Sequence, residues 1–173
     1  MTTLPRIGFI GIGMMGHGMA KNLLAKGYGL TLKANRNRER LPDLLAAGAS
    51  EATTPAAVGR AADIVFICVS SSPQIEEIVF GADGLAQAAR DGLIVVDTST
   101  AEPSSTARIR AELATKGTRY IDAPLARTPK EAEEGRLNTM VGAEPADFER
   151  IKRCCRRFAR TSSTSASPAT AMC

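Results

Sequence analysis

Gly11-Ile12-Gly13-Met14-Met15-Gly16 stands between a short apolar run and a stretch with helical periodicity. That placement suits a phosphate-binding turn. The first glycine allows the tight bend, the second lets the backbone approach a pyrophosphate, and the third lets the helix pack on the strand. The helix that follows would present free N–H groups and a positive dipole end to the phosphates. The candidate loop is therefore Gly11, Ile12, Gly13, Met14, Met15 and Gly16, with Met14, Met15 and Met19 expected to pack it against the sheet.

A second chemical signal lies about 20 residues beyond the loop, where an NAD site usually carries an acidic residue for the ribose 2′-hydroxyl. No Asp or Glu occurs between Gly11 and Arg38; the chain reads Lys33-Ala34-Asn35-Arg36-Asn37-Arg38 instead. A guanidinium fork suits a 2′-phosphate, so NADP(H) is favoured over NAD. The alternative is that Arg36 and Arg38 belong to a solvated loop and helix start. Hydroxyl groups cluster at Ser70-Ser71-Ser72 and at Thr98-Ser99-Thr100. They could bind ribose, nicotinamide amide or substrate, or Ser72 and Thr100 could cap the helices that follow. His17, the single histidine, has no carboxylate partner placed by the sequence and reads as a surface or packing residue.

The elements that must position these residues follow from alternating short apolar runs and helical patterns, the signature of βαβ units in a parallel sheet. Strands are expected at 7–10, 29–33, 64–69, 93–96, 120–123 and 139–141, with a minor one near Glu51. Helices are expected at 15–26, 38–47, 54–60, from Pro73, and at 103–116. The fold class is α/β, a Rossmann-type doubly wound, mainly parallel sheet with helices on both faces.

Bulk properties agree. The 173 residues suit one domain, expected over 1–152. All 18 acidic residues fall at or before Glu149, and six of the 22 basic residues lie between Arg150 and Arg160, so the body is slightly acidic. A nucleic-acid surface on that body is poorly supported. The longest apolar run, Ile64 to Val69, is too short for a membrane, and the start lacks a signal-peptide pattern, which places the protein in the cytoplasm. The four cysteines have neither metal-ligand nor disulfide-framework spacing. Residues 153–173, rich in Arg, Ser, Thr, Ala and Pro, read as a disordered tail without an apolar face.

The ordered motifs resemble the β-hydroxyacid dehydrogenase family, which includes 3-hydroxyisobutyrate dehydrogenases and tartronate semialdehyde reductases. The resemblance rests on Gly8-Phe9-Ile10-Gly11-Ile12-Gly13-Met14-Met15-Gly16, on Asp97-Thr98-Ser99-Thr100 with Pro103, on Asp122-Ala123-Pro124, and on Met140-Val141-Gly142. It implies that Val69, Ser70 and Gln74 line the adenosine and ribose side and that Thr100 lies beside the nicotinamide. Asn35-Arg36 is similar to the pair found in NADP-preferring members. The implied activity is hydride transfer between nicotinamide and a small hydroxy acid.

Two departures qualify this. The family's Ser-Gly-Gly after D-A-P-V is replaced by Ala126-Arg127-Thr128, so Ala126 and Arg127 become the candidate substrate residues. Arg127 could grip a carboxylate or be an exposed loop residue. The family's helical domain, which supplies the general acid/base lysine and much of the dimer interface, has no counterpart in the chain. Lys130 reads as a solvated helix residue rather than a replacement. A shifted reading frame near Arg160 would account for the tail's composition. The expectation is a cofactor-binding half that does not turn over alone and dimerises only with the helical domain. An imine-reductase-like enzyme is an alternative, as is a non-enzymatic cofactor-sensing or nucleic-acid-associated module.

Overall fold

Alternating side chains on each strand feed two separate cores, one on either face of a single sheet. The computed structural model describes residues 4–35 and 38–164. Strand β1 (Ile7–Ile10) leads through α1 (Met14–Leu24) to β2 (Leu30–Lys33), and α2 (Leu41–Ala46) leads to the short β3 (Ser50–Glu51). Helix α3 (Pro55–Ala61), β4 (Ile64–Ile67), α4 (Ser72–Phe80), β5 (Ile94–Asp97), α5 (Pro103–Ala114) and β6 (Arg119–Asp122) continue the alternation. A different arrangement follows: β7 (Leu125–Ala126), α6 (Pro129–Glu133), β8 (Leu137–Gly142), α7 (Pro145–Cys155) and β9 (Ala159–Thr164).

The order β3-β2-β1-β4-β5-β6 is parallel throughout, with Ile7 opposite both Leu30 and Ile64. The chain therefore winds first to one side of β1 and then to the other. Ligands in such sheets bind beyond the carboxyl ends of the strands at that reversal. Phe9, Phe66, Ile94 and Ile121 face one core with Met19 and Leu23 of α1 and Ile151 of α7. Val65, Ile67, Val95 and Tyr120 face the other with Val58, Ile75, Ile109 and Leu113 from α3, α4 and α5. Unbroken apolar runs such as Ile64-Val65-Phe66-Ile67 are what a strand covered on both faces requires. This is the expected doubly wound, Rossmann-type arrangement.

The boundary expected at residue 152 is corrected. Helix α7 runs through Cys155, and β9 pairs in parallel with β8 from Leu137–Ala159 to Gly142–Thr164. Ile151, Cys154, Cys155 and Phe158 are all buried, at i, i+3, i+4 and i+7, so an apolar face persists where none was read. Phe158 meets Phe66 edge-on at 5.5 Å between ring centroids. Residues 153–164 are thus part of the fold, and the expected disorder of 165–173 lies outside the described residues. Helix α2 begins at Leu41 rather than Arg38, with Pro42 in its first turn, where a missing N–H is harmless. Among the described residues no helix is long and apolar enough to cross a membrane.

Candidate functional site

The glycine loop leaves β1 with Gly11 at φ +94°, and a Cβ there would collide with the Cys68 carbonyl at the end of β4. A Cβ on Gly16 would collide with the Gly11 carbonyl and press on the Phe9 ring. Gly13 differs: it is exposed, and a Cβ there meets nothing within 4 Å. Two glycines close the turn, and the third keeps open the space before the helix. Gly13 is also the N-cap of α1, with no side-chain cap and no acidic residue in the first turn. The first-turn N–H groups are therefore free to receive an anion, and the cradle fits a dinucleotide pyrophosphate. Ile12 and Met19 are buried and Met15 is half-buried. Met14 corrects the packing expectation: it is 64% exposed, because the first helical residue points away from the sheet.

Asn35 lies exposed just past the end of β2. Arg36, the proposed 2′-phosphate ligand, lies outside the described residues. Arg38 is committed elsewhere, its two terminal nitrogens donating to the two oxygens of Glu51 at 2.7 and 2.8 Å. That fork occupies the β3 carboxylate and holds it below the usual carboxylate range through the Arg38 hydrogen bond and charge.

The loops after β4 and β5 are laced to each other. The Val69 N–H donates to Ser99 Oγ at 3.0 Å, and the Glu102 N–H donates to Ser72 Oγ at 2.8 Å. The Ser70 N–H donates to Gln74 Oε1 at 3.0 Å, placing both residues, exposed, at the start of α4. Neither Ser72 nor Thr100 is the N-cap of the helix that follows it. Ser71 and Glu102 hold the N-cap positions, while Thr100 stays exposed between the strand and the helix.

Under these loops lies a polar group the sequence did not assemble. Asp97 is fully buried, accepting from Tyr120 Oη at 2.6 Å and from the Ser99 N–H at 2.9 Å. Burial, then the Asp97 charge, pushes the Tyr120 phenol upward. The same two causes raise Asp122 to about 6. Burial raises the Cys68 thiol to about 11, so Cys68 is an inert wall of the loop. A strand ending in Asp was the available signal, but its Tyr partner comes from the neighbouring strand.

Past β6 the chain brings Ala126 and Arg127 to the same end of the sheet, both exposed. Arg127 has φ +93°, the one positive value among the described non-glycine residues. With the Asn138 amide oxygen turned toward it, Arg127 Nε donates at 3.2 Å. Thr128 then caps α6 in a capping box with Glu131, and Lys130 is exposed on that helix. Helix α6 lies tightly on α1, where a Cβ on Gly18 would collide with the Ala132 backbone. Asn22 Nδ2 donates to the carbonyls of Gly18, Ala132 and Glu133 at 2.8, 3.1 and 3.2 Å. His17, read from sequence as without carboxylate partners, is buried between Asp43 and Glu133.

Comparison with known proteins gives the same picture. Residues 6–167 match the family described as the NAD binding domain of 6-phosphogluconate dehydrogenase. The chain is 39% identical over 147 residues to 2-hydroxy-3-oxopropionate reductase of Escherichia coli (strain K12), covering 85% of this chain and 50% of that protein. It is 31% identical over 160 residues to cytokine-like nuclear factor N-PAC of Xenopus tropicalis, covering 92% of this chain and 30% of the other. A solved structure of Psf3 in complex with NADP+ and 2-OPP superposes with a TM-score of 0.86 at 30% identity, over 94% of this chain and 58% of that one. The chain therefore spans about half or less of the length of the curated relatives it matches. With the match reaching from β1 past β9, the chain belongs to the family of the NAD binding domain of 6-phosphogluconate dehydrogenase.

Proposed function

We propose that this chain binds NADP(H) as the cofactor half of a 3-hydroxyisobutyrate dehydrogenase-like oxidoreductase acting on a small hydroxy acid. The open cradle at Gly13, in front of an uncapped helix N-terminus, carries this reading. When bound, the nicotinamide supplies the hydride acceptor or donor. The chain's own part is to seat the pyrophosphate on the N–H groups following Gly13 and the ribose against Asn35 and Arg36. The laced loops carrying Val69, Ser70, Gln74 and Thr100 would wall the cofactor, and Ala126 and Arg127 would meet the substrate. The preference for NADP(H) is supported by the absence of an acidic residue from Gly11 to Arg38 and by the commitment of Glu51 to Arg38.

No lysine occurs in the segments leaving β4, β5 or β6, from Cys68 to Ser71, Thr98 to Glu102 and Ala123 to Thr128. Proton transfer to the substrate oxygen therefore needs a group from outside them, and this chain binds cofactor without turning over a 3-hydroxy acid.

The test is titration of NADPH and NADH into the chain and into Arg36→Ala. The wild type prefers NADPH by about tenfold or more, the worth of one or two charge-assisted bonds, and the variant loses that preference. Equal wild-type affinities remove the 2′-phosphate assignment, and steady turnover of a 3-hydroxy acid removes the half-enzyme reading.

A non-enzymatic, cofactor-sensing reading is favoured by one observation, the 31% identity to a protein named as a nuclear factor. It requires nucleic-acid binding that falls steeply with salt, and absence of such binding eliminates its nucleic-acid form.

A further inference from the structure

At the carboxyl ends of β1, β4, β5 and β6, four neighbours in the sheet, the backbone ladder gives way to side chains. The Cys68 and Thr98 N–H groups still donate to the adjacent strand, to Ile10 O and Ile67 O at 2.9 Å each. One residue further, both N–H groups turn to side-chain oxygens. Tyr120 Oη on β6 donates to Asp97 Oδ2 on β5 at 2.6 Å, and Asp97 Oδ1 accepts from the Ser99 N–H at 2.9 Å. Ser99 Oγ in turn accepts from the Val69 N–H at 3.0 Å. Val69 abuts the glycine turn, since a Cβ built on Gly11 would lie 3.0 Å from Val69 Cγ1. Contacts thus run without a break from Tyr120 through Asp97, Ser99 and Val69 to Gly11.

The inner links are closed to water: Asp97 is fully buried, and Ser99 and Tyr120 are buried with it. Burying a carboxylate is costly, and an apolar residue at the same place would serve stability as well or better. Asp97 meets that cost with partners held in fixed positions. Val95 is opposite Tyr120 and Asp97 opposite Asp122, so Tyr120 sits on the same sheet face one pair behind Asp97. Its ring belongs to the core that holds Ile109 and Leu113 of α5, and its length carries the hydroxyl forward to the strand end. Each link then limits the next. With Oδ2 held by the phenol, Oδ1 stays on the Ser99 N–H, and Ser99 Oγ stays opposite the Val69 N–H.

We propose that Tyr120 is a positioning residue for the cofactor site: through Asp97 and Ser99, its hydroxyl sets where Val69 stands against the Gly11 turn. It thereby sets the width of the crevice between the glycine loop and the loop after β4. That crevice lies at the reversal of the sheet, where β1 and β4 part. The effect on ligand binding rests on the cofactor reading above; the effect on the loop does not.

The experiment compares the full chain with Tyr120→Phe, Ser99→Ala and the double variant, first by amide hydrogen exchange without cofactor. In Tyr120→Phe the Val69 and Ser99 amides exchange about tenfold faster relative to the Phe66 and Val95 amides within the strands. Ser99→Ala gives the same relative gain at Val69 and carries the test should Tyr120→Phe fail to fold. Lost stability alone speeds strand and loop amides alike, so a uniform change, or none, overturns the relay. In a second arm, each single variant raises the NADPH dissociation constant by about fivefold to tenfold. The double variant raises it no further than the larger single effect, because both cut one chain of contacts. Effects that multiply overturn action through a single path. An unchanged dissociation constant, with the loop amides freed, overturns the link to the cofactor site. No NADPH binding by the wild type, with the loop amides freed in the variants, overturns the cofactor reading and leaves the relay standing.

Discussion

The parallel half of the sheet, β1 to β6, and the segment from Asp122 to Thr164 solve positioning in opposite ways. In the first, backbone builds the glycine loop: strands in continuous parallel register carry it, Gly11 and Gly16 close it, and side chains such as Ser72 and Ser99 lace only the later loops. In the second, β8 takes β6, β7 and β9 as neighbours, and α6 is held by named side chains: Asn22 on the Ala132 and Glu133 carbonyls and His17 on the Glu133 carboxylate. A backbone-built site tolerates almost no substitution where chain approaches chain. A side-chain-built site tolerates more and can respond to conditions.

The largest effect that would break this contrast lies within the glycine loop. Gly11→Ala must accept φ +94° and a collision with the Cys68 backbone, and we expect a loss of about 3 kcal/mol or more, the scale of strain plus overpacking. Gly13→Ala has an extended backbone with φ −70° and free space around the new methyl. It should melt within about 2 °C of wild type while losing dinucleotide binding, because the methyl occupies the space the pyrophosphate needs. Thermal unfolding and NADPH titration of the two variants separate fold from ligand. Equal destabilisation would show that all three glycines serve the turn alone.

That loop was legible in the sequence because its physics is local. A strand, three spaced glycines and a helix within 18 residues fix the turn, and the unbroken apolarity of β4 and β5 places them inside the sheet. The segment after Asp122 was less legible because its partners are remote. Glu133 reaches His17 across 116 residues, and Asp43 does so across 26. No spacing rule connects them. The end of α7 was hidden by composition: Cys154 and Cys155 supply its apolar face from within a run of arginines. The strand Ala159–Thr164, polar in sequence apart from the buried Ala159, pairs in parallel with β8 along its whole length, a partner no local pattern names.

An intermediate effect tests the border between the regions. Asp122 ends β6 and is raised to about 6 by burial and then by Asp97. An aspartate raised in the native state contributes stability that is complete below its unfolded value, near 3.9, and that is lost as pH climbs through about 6. Asp122→Asn removes the ionisation. Chemical unfolding at pH 4.5 and pH 7 should show the wild type losing about 1–2 kcal/mol relative to the variant, a figure reduced for its partial exposure. A variant with the wild-type pH dependence would place the titrating group elsewhere.

The smallest effect is the most informative about the second region. Arg127 holds φ +93° where the resembled family carries glycine, and its Nε–Asn138 contact at 3.2 Å lies on an exposed loop. A left-handed backbone at a long side chain costs on the order of 1–3 kcal/mol. Glycine removes that strain and returns part of the gain as unfolded-state entropy, roughly 0.5–1 kcal/mol. Arg127→Gly should therefore stabilise the chain by about 1 kcal/mol, or 2–4 °C in Tm, although it deletes a hydrogen bond and a charge. A gain from removing contacts would mean that Arg127 is not kept for the fold. Its guanidinium would then be maintained against strain for a ligand, as a charged fork where the family pattern offers neutral N–H groups. A loss of stability would assign Arg127 to structure through Asn138 and leave the substrate face of this domain without its candidate anchor.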